Sequence, residues 1–127
     1  MTGEPDRVAS LFESLLHAPV FRFPPLRVPL DAPERQGVYV ILSPQRHVVH
    51  VGRTQRAKRG LFQRLRNHML NASSFTEKYL AGDGHRLRNR YFYRYLAVPH
   101  ARTRALLEAY AVGVLCPKHL GVGEGAT

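Results

Sequence analysis

The chain has 127 residues, enough for one domain with a single modest core, and its formal net charge of +10 makes an anionic partner the first expectation. A single cysteine, Cys116, excludes an intrachain disulfide, and no apolar run reaches the ~18 residues of a membrane span. Glu4 and Asp6 stand where a secretory signal would be basic and then apolar, so a soluble cytoplasmic protein with no membrane partner is expected.

Residues Pro5 to His17 predict a short helix, because Val8, Leu11, Phe12, Leu15 and Leu16 recur at helical spacing. Ala18 to Pro33 holds Pro19, Pro24, Pro25, Pro29 and Pro33 and predicts an extended strap that is neither a helix nor a central strand. Gly37 to Leu42 and His47 to Gly52 are rich in Val, Ile and Tyr around the loop Ser43-Pro44-Gln45-Arg46, which predicts a β-hairpin. Pairing Leu42 with His47 sets Val38 opposite Val51, Val40 opposite Val49, Tyr39 opposite His50 and Ile41 opposite Val48. Tyr39 and His50 then share one sheet face.

After a basic connection, Leu61 to about Asn71 predicts a helix buried through Leu61, Phe62, Leu65 and Met69. Arg64 and His68 stack four apart at the edge of that stripe. Ser73 to Leu80 predicts a second short helix with a serine cap, and Gly82-Asp83-Gly84 a turn. Tyr91 to Val98 predicts a third strand, whose aromatics fit core packing better than base stacking. Ala101 to Leu115 predicts the last helix, burying Leu107, Tyr110, Ala111, Val114 and Leu115. The expected fold is mixed α/β (α+β): a three-stranded antiparallel sheet flanked by helices. Residues 1–34 form an N-terminal helix and proline-rich extension, 35–120 the main domain and 121–127 a flexible tail.

Acidic residues are placed sparingly. Between Arg35 and Gly123 sixteen Lys or Arg stand against Glu77, Asp83 and Glu108 alone. Such a surface draws in a polyanion, with DNA first and RNA left open. Arg53, Arg56, Lys58, Arg59 and Arg66 are candidate phosphate contacts, as is Arg64; a solvated basic loop is the plainer alternative. A carboxylate kept inside an apolar helix points to a hard cation, and Glu108 is the candidate ligand for Mg²⁺ or another divalent ion such as Mn²⁺. An ion pair with Arg104 is its alternative.

Gly37-Val38-Tyr39, His50-Val51-Gly52-Arg53-Thr54, Leu61-x-x-Arg64-x-x-x-His68, Glu108 and Pro117, in this order, resemble the GIY-YIG endonuclease domain over roughly residues 35 to 120. The resemblance implies a phosphodiester-cleaving enzyme acting on DNA and leaving a 5′-phosphate and a 3′-hydroxyl. Its catalytic residues would be Tyr39, His50, Arg64, His68 and Glu108. By the resemblance Tyr39 would accept a proton from the attacking water, Arg64 would stabilise transition-state charge, His68 would support acid–base chemistry and Glu108 would hold the metal. The chain departs from the family's pattern in His50, which replaces the second tyrosine, in a longer connection within Gln55 to Gly60, and in Leu120, where an asparagine is common.

A neutral His50 could take the proton in the tyrosine's place, with activity rising through pH ~6 to 7. Gly52 would let a phosphate or another chain approach the backbone. The rival readings are a catalytically inactive nucleic-acid-binding module on the same fold and, more distantly, a basic adaptor for an acidic protein.

Overall fold

The structure is a computed structural model that describes residues 3–120; the tail expected at 121–127 lies outside the described residues. Helix α1 (Glu4–Leu16) opens with a proline in its first turn, where the missing N–H costs nothing. Glu4 and Asp6 sit at its positive end. It buries Val8, Phe12 and Leu15.

The sheet has four strands where three were expected: β1 (Phe21–Arg22), β2 (Gly37–Leu42), β3 (Val48–Arg53) and β4 (Phe92–Ala97), in the order β1-β4-β2-β3 and all antiparallel. The additional strand comes from the proline strap. Pro19 before it and Pro24 after it cannot donate to a ladder, so it is two residues long and lies at an edge.

The hairpin register also differs from expectation. Tyr39 lies opposite Gly52, Val40 opposite Val51 and Ile41 opposite His50, while Leu42 lies opposite Val48 after an irregularity. The turn consumes one more residue than its sequence suggests. Arg46 is left-handed (φ 68), its N–H bonds Ser43 O at 2.8 Å, and the His47 N–H is held by Ser43 Oγ at 3.1 Å. A bulge then inserts Val49. Because the slip at Tyr39 is two residues, Tyr39 and His50 keep their shared face. The bulge exchanges the sides of Val48 and Val49: Val49 joins the cluster of Tyr39 and Ile41, and Val48 packs against the opposite one.

Each sheet face carries a core. On one, Tyr39, Ile41, Val49 and Tyr93 meet Leu61, Leu65 and Met69 of α2 (Gly60–Met69) and Phe75 of α3 (Ser74–Tyr79). Ser73 caps α3, and a 3₁₀ turn (Gly84–Leu87) follows. The first turn of α2 is stapled to the strap by Leu61 N–H to Arg35 O at 2.8 Å and Phe62 N–H to Pro33 O at 3.0 Å, so the extension fixes where α2 begins. On the other face Val38, Val40, Leu42, Val51 and Phe92 meet α1 and Leu107 and Ala111 of α4 (Ala101–Leu115).

The inward stripe of α4 is Arg104, Leu107 and Ala111. Tyr110 and Val114, expected inside, are 42% and 53% exposed. They lie one helical row over, and Tyr110 reaches only the edge of Phe12. Arg104 takes their place in the core by donating to Thr54 O, Val98 O and Pro99 O at 3.1, 3.1 and 2.8 Å. A buried guanidinium left unbonded would cost several kcal/mol; here its bonds fasten α4 to the end of β3. No helix among the described residues is long and apolar enough to cross a membrane.

Candidate active site

The ladder carries Tyr39 and His50 onto the face that meets α2, and Gly52 lies directly opposite Tyr39. A Cβ on Gly52 would overlap the Tyr39 ring and hydroxyl, so glycine is required here by packing alone. The glycine is the floor on which the phenol lies.

The hydrogen-bond partner of Tyr39 is His68, with Tyr39 Oη 2.7 Å from His68 Nε2. The surrounding bonds fix the tautomer. Thr76 Oγ1 donates to the His68 carbonyl, so it accepts the Ser73 hydroxyl at 3.1 Å. With its proton committed, Ser73 Oγ receives His68 Nδ1–H at 2.7 Å. Nε2 is therefore the acceptor and the Tyr39 O–H the donor. The cap of α3 thus orients the imidazole that takes hold of the phenol.

Burial pushes the Tyr39 phenol up to about 12, against the pull of the Arg64 guanidinium. Burial holds the His68 imidazole well below its ordinary value, and His50, Arg64 and His119 add to the effect. It takes His50 down to about 3, with His119 and Arg64 contributing. At rest the proton stays on Tyr39 and both imidazoles are neutral. His50 is not bonded into this relay. Its ring stacks on Phe75 at 4.9 Å and lies 5.9 Å from the Tyr39 ring, and its buried Nδ1 has no hydrogen-bond partner among the described residues.

Tyr39, His50, Arg64 and Glu108 line one cleft of ≈640 Å³, with Arg53, Gln55 and His119 also on its walls; Tyr39 is only 1% exposed there, and His68, equally buried, lies behind it. Glu108 does not pair with Arg104, which is occupied in the core. Its Oε1 accepts from Arg53 at 2.9 Å. Burial raises the carboxyl, while Arg53 and Arg64 pull it back toward the ionised form.

Among the described residues no group of three or more His, Cys, Asp or Glu forms a cation cage. One hard carboxylate beside an open cleft fits Mg²⁺ or Mn²⁺, which keep most of their waters. It does not fit a closed structural zinc site.

No protein family's sequence profile matches the chain, and no curated protein does.

The basic residues named from sequence divide into three groups. Arg53 and Arg56 line, with Arg64, a groove that adjoins the cleft. Arg59 pairs with Glu34 at 3.3 Å and covers the Phe62 ring, and Lys58 is exposed beside it. Arg66 faces a separate depression.

No motif or periodicity in the sequence assigns a role to His119. After Pro117 the chain turns along β3, His119 N–H bonds Val49 O at 2.9 Å, and its ring comes within 5.2 Å of the His50 ring. The proline that ends α4 was the available signal that the next residues turn back on the sheet.

Proposed function

We propose that this protein is a Mg²⁺-dependent endonuclease of the GIY-YIG type that hydrolyses phosphodiester bonds in DNA. One observation carries the reading: Tyr39, His50, Arg64 and Glu108, drawn from two strands and two helices, line a single basic cleft with His68 bonded behind Tyr39. The elements that correspond to the resemblance are β2, β3, β4, α2 and α4; β1 and α1 are additions to it.

The chemistry follows from the bonds. An attacking water gives its proton to Tyr39 Oη as the Tyr39 proton passes to His68 Nε2. Burial disfavours a free phenolate and an imidazolium alike, so the transfer accompanies attack and His68 holds the extra proton only in passing. The hydroxide forms the new P–O bond, the bond to the 3′ oxygen breaks with its electron pair going to that oxygen, and the oxygen takes a proton from solvent, leaving a 5′-phosphate and a 3′-hydroxyl; the extra proton on His68 returns through Tyr39 to solvent. Arg64 presents its planar fork to the phosphoryl oxygens.

Glu108 would hold Mg²⁺, which when bound neutralises phosphoryl charge and stabilises the leaving oxygen. The Arg53–Glu108 pair lies on the wall of the cleft, so a phosphate that takes Arg53 and a cation that takes Glu108 would replace each partner's charge as they part. That turns a resting contact into two binding groups.

The inactive-module reading rests on His50 replacing a tyrosine. It loses weight because the relay partner of Tyr39 is His68. Supercoiled DNA incubated with the protein decides between the two. Nicking with Mg²⁺, absent with chelator and absent in Glu108→Gln, is expected. Tight binding without cleavage under any divalent ion would establish the module instead.

A further inference from the structure

The far side of α2 carries a second basic site that the catalytic reading does not use. Arg64 and Arg66 are two residues apart, roughly 200° around the helix, so they serve opposite sides. Arg66 joins Arg27 from the strap and Arg88 from the segment before β4 around a depression of ≈280 Å³ with Leu30, Phe62 and Met69 in its wall. It shares no lining residue with the catalytic cleft and has no carboxylate in its wall.

Two details mark it as more than scattered charge. Arg88 Nε is a buried donor without a hydrogen-bond partner among the described residues, although another nitrogen of the same guanidinium bonds Pro25 O at 3.3 Å. Arg27 is held in the left-handed region (φ 71), a conformation that costs a non-glycine residue of order 1 kcal/mol and sets the residue beside Arg66 and Arg88.

We propose that this depression binds the backbone of the DNA flanking the cleaved bond. The arginines would take a phosphate and the apolar wall the adjoining sugar. DNA is the occupant because guanidinium groups around an apolar floor complement a sugar–phosphate unit, and because the polyanion is already engaged on the opposite side of the same helix. The inference rests on the nuclease reading only in taking DNA as that polyanion. The strap then becomes a DNA-binding element rather than a tether.

The test is fluorescence anisotropy with a labelled DNA duplex in chelator, over a salt series. Arg27→Glu and Arg66→Glu should each weaken binding about tenfold and flatten the salt slope by about one, the share of one phosphate. Arg27→Glu should turn over bis(p-nitrophenyl) phosphate with Mg²⁺ at the wild-type rate, and an unshifted melting temperature shows that the fold is kept. Wild-type affinity and slope in both variants would overturn the proposal. So would displacement of the duplex by a free mononucleotide, lost in Arg27→Glu, which would make this a nucleotide pocket. If the wild type with Mg²⁺ turns over neither supercoiled DNA nor bis(p-nitrophenyl) phosphate yet its DNA affinity depends on Arg27, the nuclease reading fails and this surface stands.

Discussion

The Tyr39 hydroxyl and His68 Nε2 are joined at 2.7 Å, and the opposite ring nitrogen is fixed by the serine that caps the following helix. A phenol whose proton has a defined destination is a different reagent from a phenol at a sheet edge. The bond makes the two side chains a unit.

Tyr39→Phe and His68→Ala should each lower kcat/KM by about 10²–10⁴-fold, the range for a positioned acid–base group. The double variant should be little worse than either, since parts of one unit do not contribute additively. Steady-state nicking kinetics with Mg²⁺ measure all three. Multiplicative losses would separate His68 from Tyr39.

The pH–rate profile should be flat where an ordinary histidine titrates. Burial takes His50 down to about 3 and holds His68 well below its usual range, so both are already neutral at pH ~6. The rise through pH ~6 to 7 expected from sequence is therefore replaced by a plateau, with loss only at lower pH. An inflection between pH ~6 and 7 that disappears in His50→Phe would restore His50 as the titrating base.

The same two histidines tie stability to pH. Their folded values lie below the unfolded imidazole value near 6.5, so below that pH the unfolded chain binds more protons. Their contribution is fully present above pH ~6.5. It falls as the solution is acidified, by up to about 1.4 kcal/mol per pH unit per histidine. Urea unfolding between pH ~7.5 and ~4.5 should show this slope, and His50→Phe should reduce it. Superimposable pH dependences for the two proteins would refute burial as the cause.

Gly52→Ala places a methyl group where the Tyr39 ring lies. It should cost about 1–3 kcal/mol, as overpacking does, and should depress turnover by displacing the phenol. In a Tyr39→Ala background the stability cost should largely vanish, because the two positions share one space. Thermal unfolding of the four proteins closes the cycle; a cost that persists without the ring would belong to the backbone instead.

Helices and strands were legible because their patterns are local. The β2–β3 hairpin, α2 and α4 stand within about two residues of their expected bounds. Tyr39 and His50 share a face as the alternation requires. What was not legible depended on contacts between distant segments. The bulge at Val49 and the left-handed Arg46 come from turn geometry that Ser-Pro-Gln-Arg does not announce. The exchange of partners, Arg53 for Arg104 on Glu108, follows from three backbone carbonyls that converge on Arg104 only when β3 and β4 are assembled. His119 gave no periodic signal, since it reaches the site by a crossing rather than within an element.

That crossing has a further result. β3 is the last strand of the sheet, and the edge of a last strand is a template on which a second copy can add itself. Lys118 and His119 bond Val48 and Val49 there, at 3.4 and 2.9 Å. The short segment that walls the cleft thus also covers part of that edge. A glycine in place of Pro117 should loosen it and uncover that backbone while widening the cleft, so pairing between copies and any change at the cleft would arise from one lesion.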